Sequence, residues 1–347
     1  MQPDWQQFLE QRGAAIGEGV VQHFGEPEKE RAAAMQGTVV CDLSHYGLIL
    51  ASGDDAQAFL HGQLTNDIVA LGEDGAQRNG YCSPKGRFLA TFLIWKATQG
   101  IMLQLPRTLL APIRKRLSMY VLRSKVKLED VSGQWACIGV AGQGAQALVT
   151  NVLGGAPEQD MKTLHTGRGR VIRLAAARYE IVCSPEHAQA VWGGLAQQAT
   201  QAGAPVWDWF DIRAGVVTVL PATQESFVPQ MANYELIGGV SFKKGCYPGQ
   251  EIVARTQYRG ILKKRTTLAH TGIADAPQPG DKVYSEAFGD QAAGEVANVA
   301  ASPEGGYDLL AVAQIESIEG GTLHLKAPDG PVLSLQALPY SIAVTQR

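Results

Sequence analysis

From Thr38 the chain alternates apolar and polar positions in short runs. "TVVCDLSHYGLILASG" reads as two strands around a turn, and Ser52 or Asp54 then stands where a helix N-cap belongs. "AQAFLHGQLTNDI" follows, with Phe59, Leu60 and Leu64 on one helical face. "QRNGYCSPKGRFLATFLIW" predicts a hairpin whose "SPKG" sets the turn. "IMLQLP" is a strand, "RTLLAPIRKRLSMY" a helix and "VLRSKVKLEDV" a strand. That order suggests a ferredoxin-like α+β unit. A second pass starts at "QWACIGVAG", continues through the helix "GQGAQALVTNVL" and "RVIRLAAARYEIVCS", and ends in a helix from Pro185 to Ala202. Residues 1–35 read as a polar helix and loop with weak periodicity.

After Gly260 the texture changes. "KRTTLAHTG", "DKVYS", "GEVANVAAS", "YDLLAVAQI", "TLHLKA" and "PVLSLQAL" are short β-type runs split by turn residues, the pattern of a small barrel or sandwich. The expected fold class is α+β. Two related units (approximately 36–135 and 136–261) fill residues 1–261, and a C-terminal β-barrel fills 262–347.

Composition changes little in this picture. The chain has 347 residues, 45% hydrophobic and 18% charged, with a net charge of −3. Those values suit a soluble globular protein and point to neither nucleic acid nor membrane as a whole-chain partner. Cys41, Cys82, Cys137, Cys183 and Cys246 are scattered and odd in number, so a reducing compartment is expected rather than a disulfide framework. No signal peptide or bilayer-spanning run is read, and the expected location is the cytoplasm.

Local charge is more informative. Residues 107–128 hold Arg107, Arg114, Lys115, Arg116, Arg123, Lys125 and Lys127 and no acid; residues 242–265 hold seven cations against Glu251 alone. Such fields suit an anionic ligand or polyanion, or are ordinary solvated faces. "GVAGQGAQAL" gives G-x-G-x-x-A at Gly142, Gly144 and Ala147, but the region beyond it reads as a loop with no acidic strand end, so a tight strand–helix turn is the better reading.

The sharpest feature is "SFKKGCYPGQE" at 241–251. Lys243 and Lys244 favour the thiolate of Cys246, while Gly245 and Gly249 allow close backbone approach. A small residue in a structural turn is the alternative. No histidine stands near Cys246 in sequence, so a Cys–His pair lacks support; His45, His61 and His165 are scattered. No set of residues has metal-ligand spacing.

"FVPQMANYELIGGVSFKKGCYPGQEIVARTQYRGILKKR" (227–265) resembles the signature of the YgfZ group of folate-binding proteins, whose core K-G-C-[FY]-x-G-Q-E falls on Lys244, Gly245, Cys246, Tyr247, Gly249, Gln250 and Glu251. "GDDAQAFLHGQLTNDI", "CSPKGRFLATFLIW", "DIRAGVV" and "LPYSI" extend the resemblance over most of the chain. The group lies in the superfamily of the glycine-cleavage T-protein, a tetrahydrofolate-dependent aminomethyltransferase. The resemblance implies two interleaved ferredoxin-like units and a C-terminal barrel around a folate channel. It further implies a role in assembling or maintaining iron–sulfur enzymes, including one that methylthiolates tRNA. Cys246 becomes the functional thiol, and Tyr46 and Trp207 match aromatic folate contacts. Arg213 occupies the place of a ligand-binding glutamate, although a guanidinium cannot accept a hydrogen bond. Ala90 and Thr91 stand where the T-protein has two aspartates, so aminomethyl transfer is not expected.

The implied ligand is tetrahydrofolate or a derivative, with transient contact to an iron–sulfur cluster. Implied partners are iron–sulfur proteins or tRNA-modifying enzymes, with weak tRNA contact through the basic clusters, no membrane, and a monomeric state. A folate-dependent one-carbon transferase and a basic tRNA-binding module are the alternatives.

Overall fold

Trp5, Phe8 and Leu9 recur at i, i+3 and i+4, and together they form the buried face of the first helix, α1 (Pro3–Glu10). Trp5 stacks on Phe8 at 5.2 Å, meets Trp192 edge-on at 5.7 Å and donates its indole N–H to Asp42 at 2.7 Å. The N-terminal stretch, read from sequence as polar and weakly periodic, therefore belongs to a core. A hairpin of β1 (Ala15–Gly17) and β2 (Val20–His23) and the helix α2 (Pro27–Gln36) complete it.

The computed structural model describes residues 1–260 and 262–342. The chain continues through β3 (Thr38–Asp42), β4 (Tyr46–Ser52), α3 (Ala56–Gln63), β5 (Ala76–Cys82), β6 (Phe88–Ala97), β7 (Gly100–Pro106), α4 (Arg107–Ser118) and β8 (Lys127–Asp130). Next come β9 (Ala136–Gly142), α5 (Ala145–Leu153), β10 (Lys162–Thr166), β11 (Gly169–Ala175), β12 (Arg178–Cys183), α6 (Pro185–Leu195), β13 (Thr200–Ala202) and α7 (Ala204–Arg213). After a long irregular stretch come α8 (Gln250–Tyr258), β14 (Lys264–Thr271), β15 (Lys282–Ser285), β16 (Gly294–Ala301), β17 (Tyr307–Gln314), α9 (Ile315–Gly320), β18 (Leu323–Leu325) and β19 (Val332–Gln336).

One sheet has the order β10-β11-β12-β9-β3-β13 and another the order β5-β6-β7-β4-β8. The division expected near residue 135 is not where the sheets divide. β3 pairs antiparallel with β9 over five residues and parallel with β13, so an early strand sits inside the later sheet. Apolar residues of α1, α5 and α6 cover one face of that sheet, around Ile138, Val140, Tyr179 and Ile181. The helix expected to reach Ala202 ends at Leu195 because 200–202 pair with β3. The strand expected across 121–131 shrinks to Lys127–Asp130, the length over which β4 offers it a partner. Gly142 to Gly144 form a short strand–helix link between β9 and α5.

The C-terminal strands close into a barrel in the order β14-β17-β16-β15-β18-β19, with Val283, Val296, Leu309, Ala311 and Leu323 inside. Ile261, the end of the expected second unit, lies outside the described residues. By compactness the chain forms two units: residues 1–59, 70–77 and 93–207, and residues 60–69, 78–92 and 208 onward. No helix among the described residues is long and apolar enough to cross a membrane.

Replacing Trp5 with alanine removes two ring contacts and leaves the buried Asp42 carboxylate without its indole donor. The expected loss is about 3–5 kcal/mol of unfolding free energy, read by urea denaturation. A loss below roughly 1 kcal/mol would return α1 to the role of a surface helix.

Candidate functional site

In the second unit, "QLTND" and "GGVSFKKGC" are sewn together by side-chain to backbone bonds. Thr65 Oγ1 donates to the Gly239 carbonyl at 2.7 Å and accepts from the Gly80 N–H at 2.8 Å. The Asn66 amide donates to the carbonyls of Gly238 (2.7 Å) and Arg78 (3.0 Å), and its backbone N–H donates to Asn79 Oδ1 at 2.8 Å. The Ser241 N–H returns to the Thr65 carbonyl at 3.0 Å. Short polar side chains that bond to nearby backbone favour this kind of irregular packing over regular helix or strand.

Lys244 then turns inward. Its ammonium donates to the carbonyls of Leu64 (2.6 Å) and His61, at the C-terminal end of α3, and lies 4.8 Å from the centre of the Tyr247 ring. A cation there meets orphaned carbonyls and the negative end of the helix dipole. Burial pushes Lys244 down to about 8, while Asp67 and Cys246 pull it up. The lysine read from sequence as a thiolate partner is thus mainly a clamp. Lys243 is exposed.

The turn after Cys246 has no room for side chains. Gly249 has φ +79°, and a Cβ there would fall 2.5 Å from the Ser83 carbonyl and 2.6 Å from Gly86 Cα. Gly86, in "SPKG", has φ +69°, and a Cβ there would fall 2.9 Å from Ile252 Cβ and 3.1 Å from the Gly249 carbonyl. Two left-handed glycines packed back to back fix where α8 begins, with Gln250 and the exposed Glu251 in its first turn.

Cys246 is exposed, and the other four cysteines are buried. Burial pushes the Cys183 thiol up to about 12, and those of Cys82 and Cys137 are also raised well above the ordinary value by burial. Burial, with Cys82 beside it, also pushes the Tyr247 phenol up. The fold brings His61 against Gly245, the residue before Cys246. A Cβ on Gly245 would lie 3.7 Å from His61 Nε2, and His61 Nδ1 lies 3.2 Å from Asp67 Oδ1. Separation in sequence hid the imidazole; Lys244 and His61 are 183 positions apart.

The expected folate contacts behave differently from one another. Tyr46, in the first unit, lines a small recess with Trp5, Arg107, Trp135 and Cys137. Trp207 is 1% exposed: the Arg178 guanidinium lies 4.2 Å from its ring centre, and a Cβ on Gly139 would fall 2.5 Å from the ring. It is a core residue with no open face for a pterin to stack on. In the same unit, β12 carries the buried Glu180, which accepts from the Gln104 amide. Arg213, in the second unit, donates to Gln336 and lies 3.9 Å from Asp308, whose carboxylate also accepts from Trp209 at 2.7 Å.

Ala90 and Thr91 are buried in β6, and Thr91 Oγ1 accepts the Val219 N–H at 3.1 Å. The basic clusters are partly consumed by structure. Lys125 pairs with Asp54, Lys127 with Glu129, and Arg265 with the buried Glu235. Among the described residues, no group of three or more His, Cys, Asp or Glu residues could hold a metal ion.

The GCVT N-terminal domain family matches residues 6–206, more than half of the chain. The chain belongs to that family. Over most of its length it is also similar to proteins named tRNA-modifying protein YgfZ. The one from Enterobacter sp. (strain 638) is 27% identical over 318 residues, covering 91% of this chain and 97% of the relative. The one from Edwardsiella ictaluri (strain 93-146) is 29% identical over 298 residues, covering 84% and 89%. Its fold is that of the glycine cleavage system aminomethyltransferase T from Bartonella henselae, with a TM-score of 0.74 at 15% identity over 98% of this chain and 97% of that one.

Lys244→Met removes the donor from two carbonyls and is expected to cost roughly 1–3 kcal/mol for each one left dry. Gly249→Ala adds left-handed strain of about 1–2 kcal/mol to a backbone collision. Chemical denaturation checks both, and wild-type stability in either variant would mean that the loop is not held as described.

Proposed function

We propose that the protein is a folate-binding accessory factor that supports the assembly, maintenance or repair of iron–sulfur enzymes, tRNA-methylthiolating enzymes among them. The observation that carries this reading is the pairing of one exposed, rigidly mounted thiol at Cys246 with an alanine and a threonine where a transferase would need carboxylates. Ala90 has no polar group, and the Thr91 hydroxyl already accepts a backbone N–H. Neither side chain can take a proton from an amine at neutral pH.

The residues of the first unit fit a folate in kind. Glu180 is a carboxylate of the kind that accepts from the paired N–H donors of a pterin, a task Arg213 cannot perform, and a ligand would reach it by displacing the Gln104 amide it now accepts. Tyr46 offers an aromatic ring and Arg107, on the same recess, a cation for the glutamate tail. When bound, a reduced folate would supply a one-carbon carrier. The chain's own part is to bind and orient it, and to present Cys246. Contact with tRNA is a second reading, favoured by the names of the relatives and by the exposed Arg114, Lys115 and Arg123. It predicts binding that weakens steeply with salt.

Titration with tetrahydrofolate is expected to give a binding heat and a raised melting temperature, about 2.7 kcal/mol of stabilisation at a hundredfold excess over Kd. Glu180→Gln should weaken it. Cys246→Ser is expected to fold normally, bind folate, and fail to restore iron–sulfur enzyme activity in a strain lacking its own relative. An aminomethylated lipoyl carrier should not be turned over. Absence of any folate response, a fully active serine variant, or turnover at enzymatic rates would each sink the corresponding part of the reading.

A further inference from the structure

We infer that the outer face of α8, with Phe242 beside it, is a docking surface for unpaired RNA. Tyr258 stacks on a base, and Lys243, Arg255 and Arg259 hold phosphates. The inference deepens the second reading, contact with tRNA, by giving it a surface and a chemistry. It needs neither a folate nor a reactive Cys246.

α8 is a helix with little to bury. Val253 is the one side chain it buries among the described residues, whereas Glu251, Ile252, Arg255 and Tyr258 are exposed, as is Arg259 at its C-cap. Tyr258 stands three residues after Arg255, and Arg259 stands four after it, so the ring and both guanidinium groups share one face. Tyr258 is 69% exposed, and the half-buried Phe242 meets it edge-on, with ring centres 6.0 Å apart at 72°. The phenyl ring props the phenol ring without covering it. The exposed Lys243, next along the chain, stands at the same rim.

The charges here are available. Elsewhere in the two basic clusters, Lys125, Lys127 and Arg265 are held by Asp54, Glu129 and Glu235. Lys243, Arg255 and Arg259 form no ion pair among the described residues, and Glu251 is the only acid in α8. The occupant therefore has to bring negative charge and a flat ring together. An acidic protein surface or an anionic membrane answers the cations but gives the open ring nothing flat to stack on. A second copy of this chain would set like charges against like. A duplex keeps its bases inside its own stack. Unpaired RNA brings a phosphate with every nucleotide and a free π-face on every base, and unpaired loops are the ordinary targets of RNA-binding surfaces.

The test is fluorescence anisotropy with the full-length protein and a labelled oligouridylate of about twelve nucleotides, within the usual span of single-strand sites. Binding is expected, and it should weaken as salt rises. Tyr258→Ala should weaken it about tenfold, while Tyr258→Phe, which keeps the ring, should bind as wild type does. Arg255→Gln and Arg259→Gln should each lower the slope of log affinity against log salt by roughly 0.7, the share of one phosphate on a single strand. All three side chains are exposed, so each variant should melt at the wild-type temperature. With wild type alone, a blunt RNA duplex of equal charge should compete about tenfold less well.

No binding at low salt, equal competition by the duplex, or wild-type binding by Tyr258→Ala overturns the inference. So does equal displacement of the RNA by polyglutamate or by vesicles of phosphatidylcholine with phosphatidylglycerol. A double variant, Arg114→Gln with Lys115→Gln, separates the inference from the reading it deepens. Loss of binding there, with Tyr258→Ala unaffected, would move the RNA to the other basic cluster, keeping that reading and defeating this one.

Discussion

The arrangement around Cys246 depends on one buried ammonium. Lys244 sits where α3 runs out of hydrogen-bond partners, and its position ties a loop from late in the chain to a helix from early in it. An ammonium taken out of water must recover its hydration from fixed acceptors, and two helix-end carbonyls with an aromatic face do so here. The interaction is reciprocal. Without the cation, α3 would end in unsatisfied carbonyls; without the helix end, the lysine would return to solvent and take the backbone of Gly245 and Cys246 with it. The thiol is therefore exposed yet not free to wander, which is the condition a reactive side chain needs.

Around that clamp, backbone shape does what side chains cannot. Gly86 and Gly249 approach so closely that neither tolerates a Cβ, and this contact sets the start of α8 and the direction in which the loop leaves it. Further along, Arg265 donates to Glu235, the Gln230 carbonyl and Asn233, while Tyr340 donates to the Gly215 carbonyl and accepts from Asn233. The buried ion pair contributes little net energy by itself, because desolvation offsets much of the attraction. Its value lies in geometry, since it joins the irregular stretch before the cysteine loop to the first barrel strand.

The motif around Cys246, the hairpin turn at "SPKG" and the barrel strands were legible in the sequence because each has a local cause: a glycine, a proline, or period-two alternation. Long-range pairings were not legible. Nothing in "TVVCD" says that β3 will lie between β9 and β13, and the strand at 200–202 has no pattern of its own apart from its partner. Arg213 looked like a ligand position and proved to be a link to Gln336 and Asp308. Trp207 looked like a stacking platform and proved to be enclosed. His61 stands far from the cysteine loop in sequence, and the fold brings it against Gly245. "HGQLTND" did hold a usable signal, since an imidazole and a carboxylate six residues apart across a helix end can meet once the chain turns at Thr65.

The two halves of the chemistry point the same way. A folate-dependent transferase needs a carboxylate beside the reacting amine, and the positions that the proposed reading aligns with it hold a methyl group and a hydroxyl that accepts the Val219 N–H. A protein acting on sulfur or iron needs a soft, ionisable ligand at its surface, held still and kept apart from other thiols so that it cannot be lost to an internal disulfide. Cys246 is exposed and mounted between a clamp and a glycine turn, and the other four thiols are buried. On the proposed reading, a folate-type fold with Ala90 and Thr91 at those positions would bind without transferring. On that same reading, a bound folate would act through the state of the protein, and contact with a client would fall to an exposed side chain such as Cys246.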